Sequence, residues 1–251
     1  MTKFLPHNGY ISANHEIIPA KARDIASAQV DIASSLSLLS HSVFGEIDVD
    51  IEEFNCELET LKLDTLADNI LSRLFEGVAL EVVIPRTVEE DPGLFFADYV
   101  IPASNWLNHQ GLLSSDIEYK SDFPIEYRLT PVPDSGHQEL LDELLVRDMP
   151  AWFMPSIIGL EFVDAVQLIK NMPEVVSLVG FNDGWPIILQ HTKFFEALCS
   201  DRALWFSGVN SETSGVGFCL ETDDHGRLFM DRRPFETIQP MDIHGLVIAS
   251  R

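Results

Sequence analysis

The sequence predicts an α+β chain, with helices and strands mixed through its first part and a strand-rich, mainly antiparallel second part. Three patterns carry that reading. Apolar residues recur at helical spacing in two stretches of the first 80 residues. Past residue 200 come short runs of Phe, Leu, Val and Ile, divided by Gly, Asp and Asn. Helices and strands do not alternate regularly enough for a doubly wound parallel sheet.

Ile25, Ile32, Leu36, Leu39 and Val43 form one helical stripe, so a helix is expected over Pro19–Val43 with Gly45 as its stop. Between 46 and 52 the period changes. Ile47, Val49 and Ile51 alternate with Glu46, Asp48, Asp50 and Glu52, the pattern of a half-buried strand with an acidic outer face. Cys56, Leu58 and Thr60 alternate again with Glu57 and Glu59. A helix is expected over 64–77, capped by Asp64, with Leu66, Ile70, Leu71, Leu74 and Phe75 inward and Gly77 as its end. Strands follow at Val78–Ile84, Leu94–Ile101, Ile117–Tyr119 and Ile125–Pro131.

A helix from Asp134 or Ser135 to Arg147 buries Leu140, Leu141, Leu144 and Leu145. Met149, Pro150 and Pro155 break the pattern and set a junction, dividing an acidic α+β part (1–150) from a strand-rich part (151–251), unless the chain is one continuous domain. Pro155–Met172 holds a helix that Pro173 ends. Val175–Phe181 and Trp185–Leu189 read as a strand pair about an Asn182-Asp183-Gly184 turn. Thr192–Cys199 is a short helix. Strands are expected at Ala203–Val209, Gly215–Glu221, Arg227–Met230 and Gly245–Ala249, with Asp224-His225-Gly226 as a hairpin tip.

Charge is the feature that departs from an ordinary domain. Forty Asp and Glu stand against 16 Lys and Arg in 251 residues, a formal net charge of −24. Residues 46–98 hold 15 of the acids and only three bases, Lys62, Arg73 and Arg86, so half the net charge sits in about a fifth of the chain. A field of that sign repels nucleic acid and anionic membrane and attracts basic partners. General salt adaptation would spread the acids more evenly. An apolar share of 46% with 16 Phe argues for a folded body beneath the charge.

The start, MTKFLPHNGYIS, has no apolar stretch behind a basic one, so no signal peptide is expected. No apolar run reaches the ~18 residues of a membrane span. Cys56, Cys199 and Cys219 lie outside any CxxC and read as buried free thiols of a reducing cytoplasm.

Motifs for chemistry are absent. Asp48, Asp50, Glu52, Phe54, Cys56 and Glu59 match the ligand offsets of an EF-hand, but Glu53 stands where the turn needs glycine. There is no HExxH or close His pair for zinc, no GxSxG elbow and no Walker loop. The Gly208–Gly217 segment reads as a surface loop. Arg227, Arg232 and Arg233 pair locally with Asp223, Asp224, Asp231 and Glu236. Trp106, Trp152, Trp185 and Trp205 read as packing residues. No cofactor, metal or catalytic residue is assigned.

These observations lead to an acidic cytoplasmic binding protein that neutralises a basic protein partner, of the immunity, antitoxin or inhibitor type, with no direct contact to nucleic acid or membrane. The expected contact residues are Glu46, Asp48, Asp50, Glu52, Glu53, Glu57 and Glu59. One alternative is a hydrolase or transferase without a readable motif, built from His191, His225, His244, Asp231 and Arg232. Another is a structural subunit of a phage particle or secretion apparatus.

Overall fold

A computed structural model describes residues 18–27, 32–45, 47, 49–68, 72, 75, 78–87, 89, 91–120, 129–157, 161–171, 176–211 and 215–248. Helices and several small sheets enclose one apolar core. The class is α+β, with a strand-rich C-terminal part.

The expected helix over 19–43 is two helices, α1 (Ala20–Ser27) and α2 (Ile32–Ser40), with 28–31 outside the described residues. Near the end of α2, His41 Nδ1 lies 2.6 Å from Ser37 O and Ser42 Oγ donates to Leu39 O at 2.5 Å. Side chains thus satisfy the last carbonyls and the helix stops short of Val43.

The predicted acidic strand is the largest correction. Glu46 and Asp48 lie outside the described residues, and Ile51–Ala67 is a helix, α3. Asp50 is its N-cap, its Oδ1 accepting from Glu52 N at 2.9 Å and Glu53 N at 3.1 Å. Glu52 and Glu53 then occupy the first turn, where the helix dipole favours negative charge. Phe54, Leu58, Leu61 and Thr65 form the buried stripe. Alternation and helical spacing overlap over so short a run. The helix prevails because its apolar stripe packs on a strand and needs no partner for a row of like charges. Asp64 therefore lies inside a helix and caps nothing. Ile70, Leu71, Leu74 and Gly77 fall outside the described residues.

Strand β1 (Leu80–Ile84) follows as expected. The predicted strand over 94–101 is instead helical: α4 (Pro92–Phe95), a π turn (Phe96–Val100) and α5 (Ile101–Gln110) run on from one another. Asp91 Oδ1 caps the start by accepting from Gly93 N at 2.7 Å. Pro102 donates no N–H, and the wide turn before it, closed by Ile101 N to Phe96 O, brings the helix past that gap.

Strand β2 is Glu118–Tyr119, and β3 is Leu129–Pro131, the described end of the expected 125–131 strand. Helix α6 (His137–Leu144) follows Gly136, whose φ of 75° is the left-handed conformation that favours glycine. Strand β4 (Met149–Met154) lies where the junction between halves was expected. It pairs antiparallel with β1 on one side and with β10 (Gly245–Ile248) on the other, so residues from both sides of that junction meet on it. After α7 (Phe162–Ile169), strand β5 (Val176–Leu178) completes this sheet in the order β1-β4-β10-β5.

The expected turn and strand over 182–189 form helix α8 (Phe181–Gln190). Asp183 reaches back and accepts from Gly180 N at 2.9 Å, so the Asn-Asp-Gly run starts a helix. Every residue of α8 is buried. Asn182-Asp183-Gly184 and Pro186 are turn and breaker residues by type, and their presence inside the segment concealed the helix. Helix α9 is Thr192–Cys199.

The second sheet runs β2-β9-β8-β6, from β6 (Leu204–Trp205), β8 (Val216–Thr222) and β9 (Leu228–Pro234). Strand β7 (Val209–Ser211) pairs with β3. The β8–β9 hairpin turns at the expected tip, where Gly226 has a φ of 79° and Asp223 Oδ1 accepts from His225 N and Arg227 N. Cys199 and Cys219 are buried, as expected. Cys56 is not: it is exposed on α3. No helix among the described residues is long and apolar enough to cross a membrane.

Candidate functional site: an acidic and aromatic cleft

Helix α3 is held on the sheet by Trp152 of β4, whose Nε1 donates to Leu58 O at 3.1 Å. Lys62 Nζ lies 5.0 Å from the centre of the same indole, and the Phe75 ring meets it edge-on at 5.3 Å. That anchorage presents Asp50, Glu53 and Glu57, spaced three and four residues apart, along one stripe of the helix. All three line a cleft of about 620 Å³. Its other lining comes from Ile47 and Val49, the ends of β1 and β4, the turn holding Phe44, the α4–π segment, Arg86 and Thr87 after β1, and Val146, Arg147 and Asp148 before β4, so two arginines also stand at the cleft.

The α4–π segment brings Phe95 and Tyr99 together one turn apart, their rings 4.8 Å apart at 16°. Phe44 stacks on Tyr99 at 5.8 Å and 16°. Phe95 is buried, whereas Phe44 and Tyr99 are half-buried, so ring surface remains at the cleft. Facing carboxylates and ring faces attract the same class of group, an organic cation: the first by charge, the second through the ring quadrupole.

The cleft already holds one such arrangement from the chain's own residues. Arg147 Nη1 lies 3.1 Å from Glu57 Oε2, and Arg147 Nε lies 3.7 Å from Glu143 Oε2. Asp148 Oδ1 accepts from Arg86 N at 2.8 Å. Asp50 uses one oxygen as the helix cap. Glu53 lines the cleft with its carboxylate in no ion pair or side-chain hydrogen bond among the described residues. Glu52 and Glu59 are exposed on α3 but do not line the cleft. Of the seven acids expected to make contact, the structure thus brings three together, places two more on the same helix, and leaves Glu46 and Asp48 undescribed.

Reading the sequence missed the aromatic wall and Arg147. Phe95 and Tyr99 stand at i and i+4, a signal that exists only once the segment is helical.

The titratable residues of the C-terminal half do not converge. His191 is buried, with Nε2 2.9 Å from Glu81 O, and burial pushes its pKa down. His244 is buried with Nδ1 2.5 Å from Pro155 O and pushed down to about 4 by burial. His225 is exposed at the hairpin tip, and Asp231 is bound to Lys120 and Arg233.

One polar pair lies in the core. His137 Nδ1 is 3.6 Å from Asp183 Oδ1, both side chains fully buried. Burial pushes His137 down to about 3 and Asp183 up to about 7, so both tend toward their neutral forms. A Cβ added at Gly180 would come within 2.1 Å of His137 Nε2, so the pair is enclosed by backbone and meets no described cavity. No group of three or more His, Cys, Asp or Glu among the described residues is arranged to hold a metal.

Comparison of this chain with family models, with curated proteins and with solved structures finds no match. Its function is therefore argued from the cleft.

Proposed function

We propose that this chain is a binding protein that neutralises a basic protein partner, in the manner of an immunity protein, antitoxin or inhibitor, and that the cleft beside α3 is where the partner docks. The observation that carries the reading is the meeting of Asp50, Glu53 and Glu57 with the Phe44–Tyr99–Phe95 stack in one cleft. The exposed acids Glu52 and Glu59 extend the negative field beyond it. Such a field speeds encounter with a basic surface and selects against acidic ones, nucleic acid included. A basic protein held there is blocked from the polyanion its own charge would otherwise meet. All three cysteines are free thiols, which suits a reducing cytoplasm.

The test is affinity capture from the native lysate at low and moderate salt, with the wild-type chain and with a Glu52→Gln, Glu53→Gln, Glu59→Gln variant. Those three side chains make no hydrogen bond or ion pair among the described residues, so the variant keeps the fold. A stoichiometric basic protein held by the wild type, released by salt and lost from the variant supports the reading. Equal retention by both chains, or retention by neither, removes the cleft as a docking site.

A further inference from the structure

We infer that the cleft selects arginine over lysine, so that the partner engages it through an arginine side chain. The inference rests on the proposed function and names the group that enters. Three features lead to it. The Tyr99 ring lies nearly parallel to both Phe95 and Phe44, at 16° in each case, while Phe44 and Phe95 are tilted by 31° with centroids 6.4 Å apart, so the two phenylalanines cluster about Tyr99. A planar guanidinium lies face to face against a ring, whereas an ammonium approaches as a point charge and keeps more of its hydration. Next, a carboxylate of the cleft already pairs with a guanidinium: Arg147 lies 3.1 Å from Glu57, with Glu143, outside the cleft lining, at 3.7 Å. Lastly, Glu53 stands one turn before Glu57 on the same stripe, lines the same cleft and offers two oxygens with no partner among the described residues, the geometry that a bidentate fork uses. An incoming arginine places its plane against the half-buried Tyr99 or Phe44 ring and its nitrogens on Glu53, beside the pair that Arg147 makes with Glu57. An incoming lysine gains the charge but not the stacking or the fork.

Elsewhere the chain draws lysines to its rings, with Lys62 over Trp152 at 5.0 Å and Lys120 over Phe229 at 4.5 Å. The Trp152 indole meets Phe75 edge-on, not face to face, and each of these rings has one ammonium above it. The cleft differs in having nearly parallel rings and carboxylates lining one cavity.

Fluorescein-labelled ten-residue oligo-arginine and oligo-lysine are titrated with the full chain at low salt and followed by fluorescence anisotropy. Both carry the same charge, so a field without selection binds them alike. The expected result is an oligo-arginine affinity at least fivefold higher. Tyr99→Leu removes the ring but keeps apolar bulk, and should bring the ratio of the two affinities to within about twofold. Phe44→Leu, at a half-buried turn position with less packing at stake, should shift the ratio in the same direction. Equal affinities in the wild type overturn the selection and leave the acidic docking surface standing. A preference for arginine that survives both ring substitutions also overturns it, by moving the cause away from the stack. Binding of neither peptide to the wild type removes both the selection and the reading beneath it.

Discussion

The β8–β9 hairpin and the start of α3 are both rich in carboxylates, and they dispose of that charge in opposite ways. On the hairpin each acid that matters has a cation. Asp223 holds Arg227 at 2.7 Å, Glu221 and Asp231 both pair with Arg233, and Asp231 also accepts from Lys120 Nζ at 2.5 Å. At the start of α3, Glu57 has Arg147, and Glu52, Glu53 and Glu59 have no cation among the described residues. Charge that is paired within the chain holds two strands and their neighbour together. Charge left open to solvent beside exposed ring surface stabilises little and is available to another molecule. A count of acids cannot distinguish the two regions, but the count of cations beside them does.

The sharpest way to break the contrast is to reverse charge in each region and read both stability and binding. Glu52→Lys with Glu53→Lys should lower affinity for oligo-arginine by tenfold or more, with a modest fall in the thermal midpoint because two cations then stand in the first turn of α3. Arg233→Glu should leave that affinity within about twofold and lower the midpoint. A hairpin reversal that abolishes binding would move the docking surface.

Next in size is Asp231→Ala. The carboxylate is 12% exposed and serves Lys120, Arg233 and the Arg232 N–H. Its loss takes one acceptor from each of those donors, Arg233 keeping Glu221, and should cost about 1–2 kcal/mol in denaturant unfolding, less than a fully buried pair because both cations reach solvent.

On the α3 side the acid whose own hydrogen bonds hold the start of the helix is Asp50, which matters for its cap and not for its charge. Asp50→Ala should cost about 1 kcal/mol, while Asp50→Ser, which keeps an acceptor oxygen, should recover most of it. If the two variants unfold alike, the cap contributes nothing and the contrast between the regions widens.

The smallest effect is in pH, and here the two regions have opposite signs. Burial alone would raise the Asp231 pKa, but the bonds from Lys120 and Arg233 overcome it and hold the group below the usual carboxylate range. Its stabilising contribution is present above the ordinary Asp value and is lost as pH falls through the folded value. Glu81, on β1 near the α3 acids, is raised by burial and by the Glu59 carboxylate, against a smaller opposing effect of Lys62. It favours the folded state below the ordinary Glu value, and that advantage is lost as pH rises through its folded value. Unfolding of Asp231→Asn and Glu81→Gln between pH 3 and 8 should therefore deviate from wild type in opposite directions, the first mainly through lost stability above pH 4, the second through stability gained toward neutral pH.

Much of this architecture was legible in the chain. Strands β1, β8, β9 and β10, helices α6, α7 and α9, and the hairpin tip at Asp224-His225-Gly226 all lie where local pattern puts them, because each is a periodic or continuous apolar run or a turn whose residues favour that conformation. Pattern failed at α3, where an acidic N-cap and first turn imitate alternation. It failed at α4 and the π turn, where two prolines bracket a run of large apolar residues. It failed at α8, where Asn182-Asp183-Gly184 and Pro186 are turn residues by type but lie inside a helix. Of the site, Asp50, Glu53 and Glu57 could be picked out by charge density alone, while Phe44, Phe95, Tyr99 and Arg147 could not.

By itself, the sequence determined that this is a folded α+β chain with half its net charge concentrated in residues 46–98, since composition and clustering are properties of the chain in any conformation. Only the tertiary structure decided which of those acids remain open and what they face. Asp50, Glu53 and Glu57 share a stripe because α3 is a helix pinned to Trp152, and the aromatic rings stand at the same cleft because the 92–110 helical segment packs on β3 and α8. The physical reason is that a site is a set of distances between residues far apart in the chain. Those distances follow from how buried apolar faces pack, which no local pattern records.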